Sequence, residues 1–187
     1  MTTHGFALFD TAIGRCGIAW SERGVAGVQL PEARDADTRA RLARRFPTAA
    51  EKLPPAHVGR AMDGIAALHS GEASDLSDVV LDLGGVPVFE RRVYQIARTI
   101  PPGEAVSYGE VAARVGGPGA ARAVGRALGR NPVPILVPCH RVVAADGGLG
   151  GFSASGGVTT KARLLRIEEA HGRGTRRLFE DEDSDES

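Results

Sequence analysis

A chain of 187 residues, 42% hydrophobic and 25% charged, can bury a sizeable core and has the composition of an ordinary globular protein. No stretch approaches the roughly 18 apolar residues of a membrane span, and the opening MTTHGFALFD lacks the basic-then-apolar pattern of a secretory signal. The 23 Lys/Arg and 23 Asp/Glu cancel but are unevenly placed: 9 against 12 in residues 1–90, 12 against 5 in 91–173, and 2 against 6 in 174–187. That basic second half is equally compatible with a polyanionic partner such as nucleic acid and with a solvated face. Two cysteines, Cys16 and Cys139, make no disulfide framework, so a reducing, cytoplasmic setting with free thiols is expected.

Along the chain, FALFD, RCGIAW and GVAGVQL are short apolar runs separated by turn residues, which predicts three strands in the first 30 residues. Residues 35–46 read as a charged surface helix. PPAHVGRAMDGIAALHSG reads as a second, with Val58, Met62, Ile65 and Leu68 on one face. VVLDL, 79–83, reads as a strand that GGVP interrupts, and a domain boundary is expected near residue 85. Phe89, Val93, Ile96, Ala97 and Ile100 then recur at helical spacing until Pro101-Pro102-Gly103. In SYGE, Ser107 as N-cap with Glu110 three residues on predicts a helix to about Val115. GGPG and AARAVGRALG, 120–129, add a turn and another helix, a helix-turn-helix candidate, although many such hairpins bind nothing. Residues 144–157 contain six glycines and read as a loop, TTKARLLRIEEA as a helix, and 174–187 as an acidic, disordered tail.

The chemistry concentrates in NPVPILVPCHRVV, 131–143. A cysteine attacks carbon as its thiolate, so it needs a base or a positive field beside it, and His140 and Arg141 follow Cys139 directly. Neighbouring side chains on a regular strand face opposite ways, so His140 can serve Cys139 only if the backbone bends or a water bridges them. Pro138 makes such a bend plausible. The imidazole also needs an acceptor on its far nitrogen, and Glu168 and Glu169 are the candidates. Taken alone, Tyr108 is better read as a core aromatic and Arg122 as a surface cation.

PCHRVV, with ARAVGRALGRNPVPILV before it, closely resembles the active-site segment of the O6-alkylguanine-DNA alkyltransferases, the methylated-DNA–protein-cysteine methyltransferases. The resemblance runs from about Val88 to Ala170 through IPPGEAVSYGEVA, GGPGAARAVG and KARLLRIEEA. It reaches the N-terminus more weakly in DTAIGRCGIAWSERGVAGVQL. It implies an α+β fold: an RNase H-like sheet-and-helix unit over 1–85, then a winged helix-turn-helix-like unit over 86–173 carrying the active site. The implied reaction is single-turnover repair, in which O6-alkylguanine (and O4-alkylthymine) is flipped from duplex DNA and its alkyl group passes irreversibly to a cysteine. Residue by residue, Cys139 matches the acceptor, His140 its base acting through a water, and Glu168 the orienter of that base. Tyr108 matches the tyrosine that rotates the nucleotide and donates a proton to the leaving guanine.

At the DNA, the resemblance implies that Arg122 fills the vacated stack, flanked by the small residues Ala121 and Ala123. Asn131 matches a hinge, and Arg141 is expected to contact DNA. Val142, with Cys139, is expected to accept the guanine amino group through its carbonyl. Ser153, Phe152 and Leu128 complete the expected pocket. Phe152 stands where the family's G-Y-x-x-G has tyrosine, so the loop is atypical. Minor-groove docking by a monomer, with no membrane association, cofactor or metal, is expected; one cysteine near the N-terminus cannot make a multi-thiolate zinc site. Two rivals remain at this level. A non-catalytic relative that only binds alkylated DNA would lack the cysteine. A Cys139–His140–Glu168 hydrolase would need an oxyanion hole and turnover, and leaves the helix-turn-helix without a purpose.

Overall fold

The computed structural model describes residues 5–169, so the expected acidic tail and residues 170–173 lie outside the described residues. The three predicted strands are present as β1 (Gly5–Thr11), β2 (Gly14–Ser21) and β3 (Gly24–Gln29), an antiparallel meander. After α1 (Asp35–Arg45), the short β4 (Ala50–Glu51) pairs parallel to β1, which gives a four-stranded sheet of order β3-β2-β1-β4. Helix α2 (Ala56–His69) buries Val58, Ala61, Ile65 and Leu68, the apolar stripe at helical spacing, in the same core as Trp20 and Val25.

VVLDL does not form the expected strand. Only Leu81 bridges to Val25 of β3, through Val25 N–H to the Val80 carbonyl (2.9 Å) and Asp82 N–H to the Val25 carbonyl (2.8 Å). Side chains end the pairing there: buried Asp82 accepts from the Ser21 hydroxyl at 2.6 Å and pairs with Arg23 at 2.9 Å. This segment is thus pinned at a point rather than along a ladder.

The second half is mainly helical, as its spacing predicts. Helix α3 (Val88–Ala97) leads to β5 (Val106–Ser107), α4 (Tyr108–Val115) and α5 (Ala121–Gly129). Ser107 caps α4 reciprocally: its hydroxyl accepts from Glu110 N–H at 3.1 Å, and the Glu110 carboxylate accepts from Ser107 N–H at 2.6 Å. Gly117, at φ +133°, takes a left-handed backbone in the turn that brings α4 and α5 together. The fully buried Tyr94 of α3 donates its hydroxyl to the Ala127 carbonyl at 2.8 Å, so a core aromatic sets the height of α5. The chain then makes a 3-10 turn at Cys139–Arg141, a two-residue β6 (Val142–Val143) parallel to β5, and α6 (Gly157–Glu169). The main apolar core runs through both halves, from Ile18 and Ile65 to Val93, Val124, Val137 and Leu164, and a smaller cluster of Phe6, Ala19 and Leu42 lies under α1. Among the described residues no helix is long and apolar enough to cross a membrane.

Candidate active site

The backbone bend that the sequence required is present. Pro138, at φ −79° and ψ 67°, makes an inverse γ-turn closed by Cys139 N–H to the Val137 carbonyl at 2.8 Å. The 3-10 turn that follows removes the strand alternation, so Cys139 and His140 are not forced to opposite faces. Just upstream, Ile135 sits at φ +74°, costly for a β-branched residue, and is held there by burial. Asn131 ties the end of α5 to this segment: its side chain donates to the Val137 carbonyl at 2.8 Å and accepts from Val133 N–H at 3.0 Å.

Behind the thiol lies a closed polar cluster. His140, almost fully buried, meets Glu168 through Nε2 at 2.9 Å. Burial would raise the Glu168 carboxyl, but His140 and Arg141 hold it well below the usual carboxylate range. Being ionised, it can only accept, so the ring hydrogen resides on Nε2 and Nδ1 carries the free lone pair. Burial lowers the pKa of His140 itself, against the pull of Glu168, which keeps the imidazole neutral and able to accept a proton. Its Nδ1 has no protein partner among the described residues. Of the two candidate orienters, Glu168 takes this place and Glu169 does not.

Arg141 corrects an expectation. It is buried, not at a DNA-facing surface. Its Nε and Nη2 donate to Glu168 at 2.9 and 2.8 Å, and its Nη1 donates to the Ile100 carbonyl at 2.6 Å. It neutralises the orienting carboxylate and is unavailable to a phosphate. Nor do these neighbours create a standing thiolate. Cys139 is a free, buried thiol whose pKa is raised, since burial outweighs a hydrogen bond from Asn131 and the charge of Lys161. The resting thiol therefore keeps its proton at neutral pH. Cys16, expected to be a small buried hydrophobe, is fully buried with its thiol pushed up to about 12.

Cys139 opens into a cavity of 610 Å3 lined by Tyr108, Ala121, Arg122, Leu128, Phe152 and Ser153, among others, a size suited to a small ligand. Six expected residues therefore converge with the thiol. Ala123 is half-buried on α5 but outside the cavity wall, and Val142 is fully buried in β6. The Val142 carbonyl already accepts from the Lys161 ammonium at 2.6 Å, leaving one lone pair for the expected substrate contact.

Lys161 is a site residue that motif reading missed. It is fully buried, and its ammonium stands 5.6 Å over the centre of the Tyr108 ring. Burial lowers its pKa to about 8, partly opposed by Cys139. The signal was available: Lys161, Leu164, Leu165 and Glu168 follow i, i+3, i+4, i+7 and form the buried face of α6, so a lysine occupied a core position. Gly150, at φ +68°, packs its backbone against the same ring; a Cβ there would lie 2.9 Å from a Tyr108 ring carbon. Burial, then proximity to Cys139, raises the Tyr108 phenol, which keeps its proton at neutral pH.

Comparison with known proteins identifies the family. The family described as the 6-O-methylguanine DNA methyltransferase DNA-binding domain matches residues 88–170. A methylated-DNA–protein-cysteine methyltransferase of Mycolicibacterium paratuberculosis is 46% identical over 127 residues, 68% of this chain and 74% of the relative. A protein of the same name from Methanothermobacter thermautotrophicus is 36% identical over 152 residues, 81% of this chain and 78% of the relative. The crystal structure of Mycobacterium tuberculosis OGT in complex with DNA superposes with a TM-score of 0.73 at 36% identity, covering 91% of this chain and 96% of that one.

Proposed function

The chain belongs to the methylated-DNA–protein-cysteine methyltransferase family, and from that premise we propose that it repairs alkylated DNA with Cys139 as the acceptor, each molecule acting once. The observation that carries this reading is a cysteine on the cavity wall followed, in the same 3-10 turn, by a neutral imidazole whose tautomer a buried carboxylate fixes.

In the proposed step, His140 Nδ1 takes the Cys139 proton through a bridging water. The thiolate attacks the carbon bonded to O6 of guanine, a carbon–sulfur bond forms as the carbon–oxygen bond breaks, and the electron pair leaves with the purine. Tyr108 donates its phenolic proton to the guanine ring, which leaves neutral. Glu168 stabilises the imidazolium that forms, and Arg141 holds Glu168 ionised. The products are S-alkylcysteine and intact guanine. A thioether is no substrate for the same chemistry in reverse, so the protein is consumed.

The target carbon is hidden within the duplex, and reaching it requires extrusion of the base at about a few kcal/mol. Arg122, exposed at the start of α5 and lining the cavity, fits the role of filling the vacated stack. The small Ala121 and Ala123 beside it favour close docking of this helix in the minor groove. The carbonyls of Cys139 and Val142 would accept the guanine amino group, and Ser153, Phe152 and Leu128 would wall the base. On this reading residues 1–85 form an RNase H-like scaffold and 86–173 a winged helix-turn-helix-like DNA-binding unit. The protein acts as a monomer, and O4-alkylthymine is a second substrate.

Mass spectrometry after incubation with duplex containing O6-methylguanine tests this. One methyl, about 14 Da, is expected on Cys139 with no turnover. Steady release of product would indicate a hydrolase instead, and binding without a mass change would leave Cys139 without its proposed role.

A further inference from the structure

A second cavity, of 240 Å3, shares Gly129, Cys139, Phe152 and Ser153 with the guanine cavity but takes its other walls mainly from β3, α1, Arg130 at the end of α5 and the start of the active-site segment. Three guanidinium side chains, Arg41, Arg45 and Arg130, line it, and no acidic side chain does. Arg41 and Arg130 have carboxylate partners outside the cavity wall, Glu32 at 3.0 Å and Glu90 at 3.2 Å. Arg45 differs. Its nitrogens donate only to neutral carbonyls, Val28 at 3.1 Å and Pro132 at 2.8 Å, and among the described residues it has no carboxylate partner. Burial and the neighbouring charge of Arg41 both press its pKa downward, as expected of a cation lacking a counter-charge.

We propose that this arginine-lined cavity receives the distal end of the transferred group and selects alkyl groups bearing a carboxylate, as in O6-carboxymethylguanine. The proposal rests on the alkyl-transfer reading above. The guanine cavity holds the base on the proposed mechanism, so a substituent longer than methyl needs another route away from Cys139, and the second cavity borders the same cysteine. A sphere of that volume is about 8 Å across, room enough for the roughly 6 Å from a sulfur through a methylene and a carboxylate to a donor one hydrogen bond of about 2.9 Å away. The chemistry is unchanged: Cys139 sulfur bonds to the methylene, the methylene–O6 bond breaks, and the guanine leaves with a proton from Tyr108. Cys139 becomes S-carboxymethylcysteine, and no oxidant or reductant is required.

The test compares three duplexes carrying O6-methylguanine, O6-carboxymethylguanine and its neutral isostere O6-carbamoylmethylguanine, read as single-turnover rates and adduct mass. The unaltered protein is expected to take the carboxymethyl group faster than the carbamoylmethyl group. In Arg45→Gln that ratio should fall about fivefold, the contribution of a partly exposed ion pair, while methyl transfer stays unchanged. Arg41→Gln, whose side chain makes no bond to the active-site segment, should lower the ratio in the same direction and guards against misfolding of the first variant. If carbamoylmethyl is taken as fast as carboxymethyl, or if the arginine variants slow all three duplexes equally, the cavity does not read charge and the arginines serve DNA phosphates instead. Methyl transfer without carboxymethyl transfer overturns this inference alone; failure of both overturns the parent reading.

Discussion

Replacing Glu168 by glutamine removes one charge from a group that accepts from His140, twice from Arg141, and from Gly103 N–H at 3.3 Å. Two separable losses follow. Arg141 is left as an uncompensated buried cation, which costs about 3–5 kcal/mol and lowers the melting temperature by about 10 °C. The imidazolium formed during transfer also loses its counter-charge, and an amide can donate to the wrong ring nitrogen. Transfer should slow about a hundredfold or more even where the variant is fully folded. The comparison is Arg141→Leu, which should lose comparable stability and slow transfer less than Glu168→Gln, since the His140–Glu168 contact at 2.9 Å survives it while Glu168 loses one of the two groups that keep it ionised. The assay is single-turnover methyl transfer at 15 °C beside urea unfolding of each variant. A folded Glu168→Gln protein transferring within about threefold of the parent would refute the relay and leave Glu168 a purely structural anchor.

Other consequences follow from the same geometry. The Lys161 ammonium, whose pKa lies near 8, loses its charge as pH rises through that value, so the transfer rate should decline above about pH 8. That alkaline limb should vanish in Lys161→Met, and its persistence would exclude Lys161 as the source. Gly150→Ala places a Cβ against the Tyr108 ring and strains a backbone at φ +68°, so transfer should slow about tenfold for a stability loss of only about 1–2 kcal/mol; an unchanged rate would show that the phenol tolerates displacement. His69, buried with neither ring nitrogen partnered among the described residues, has its pKa lowered from 6.5 to about 4, by burial first and then by His140. Below pH 6.5 the unfolded chain binds the extra proton while the folded one refuses it, so stability falls as pH drops toward 4. Unfolding in urea at pH 7 and pH 5 should differ by about 2 kcal/mol from this residue, and His69→Phe should remove that difference.

The first three strands, the six helices and the capping box were legible because each rests on local chemistry: alternation, 3.6-residue spacing, or a hydroxyl three residues before a carboxylate. The exception, VVLDL, has strand composition, but pairing depends on a partner edge, and Asp82 turns away to Ser21 after one bridge. In the site, the cavity-facing residues and the His140–Glu168 pair behind the thiol were recognisable by motif, whereas the place of Arg141 and the presence of Lys161 were not. Arg141 looks like a DNA-binding cation because charge in a basic segment is read as outward. Whether a guanidinium points to solvent or into the core is decided by Glu168, 27 residues away, and by the free carbonyl of Ile100. Lys161 escaped for the opposite reason: a helical pattern that tolerates one lysine as a surface residue hides one whose ammonium is satisfied by a carbonyl and an aromatic face.

The direction in which Cys139 is shifted also bears on how a single-use protein survives. A thiol next to histidine and arginine invites the inference of a permanent thiolate, yet a thiolate at rest reacts with any passing electrophile or oxidant, and a molecule that acts once would be lost to each such event. Here burial holds the proton on sulfur, and the positive charge of Arg141 is cancelled by Glu168 before it can act on the thiol. What remains is a neutral base with one free lone pair, which on the proposed mechanism would take the proton as an electrophilic carbon is held at the sulfur. On the proposed mechanism selectivity would come from the base being neutral and the cavity being shaped, not from an intrinsically reactive sulfur. A small soluble alkylating agent should therefore modify Cys139 more slowly than an unhindered thiol of ordinary pKa at neutral pH. Modification at or above the rate of free cysteine would mean that the resting sulfur is ionised and that His140 is not needed to deprotonate it.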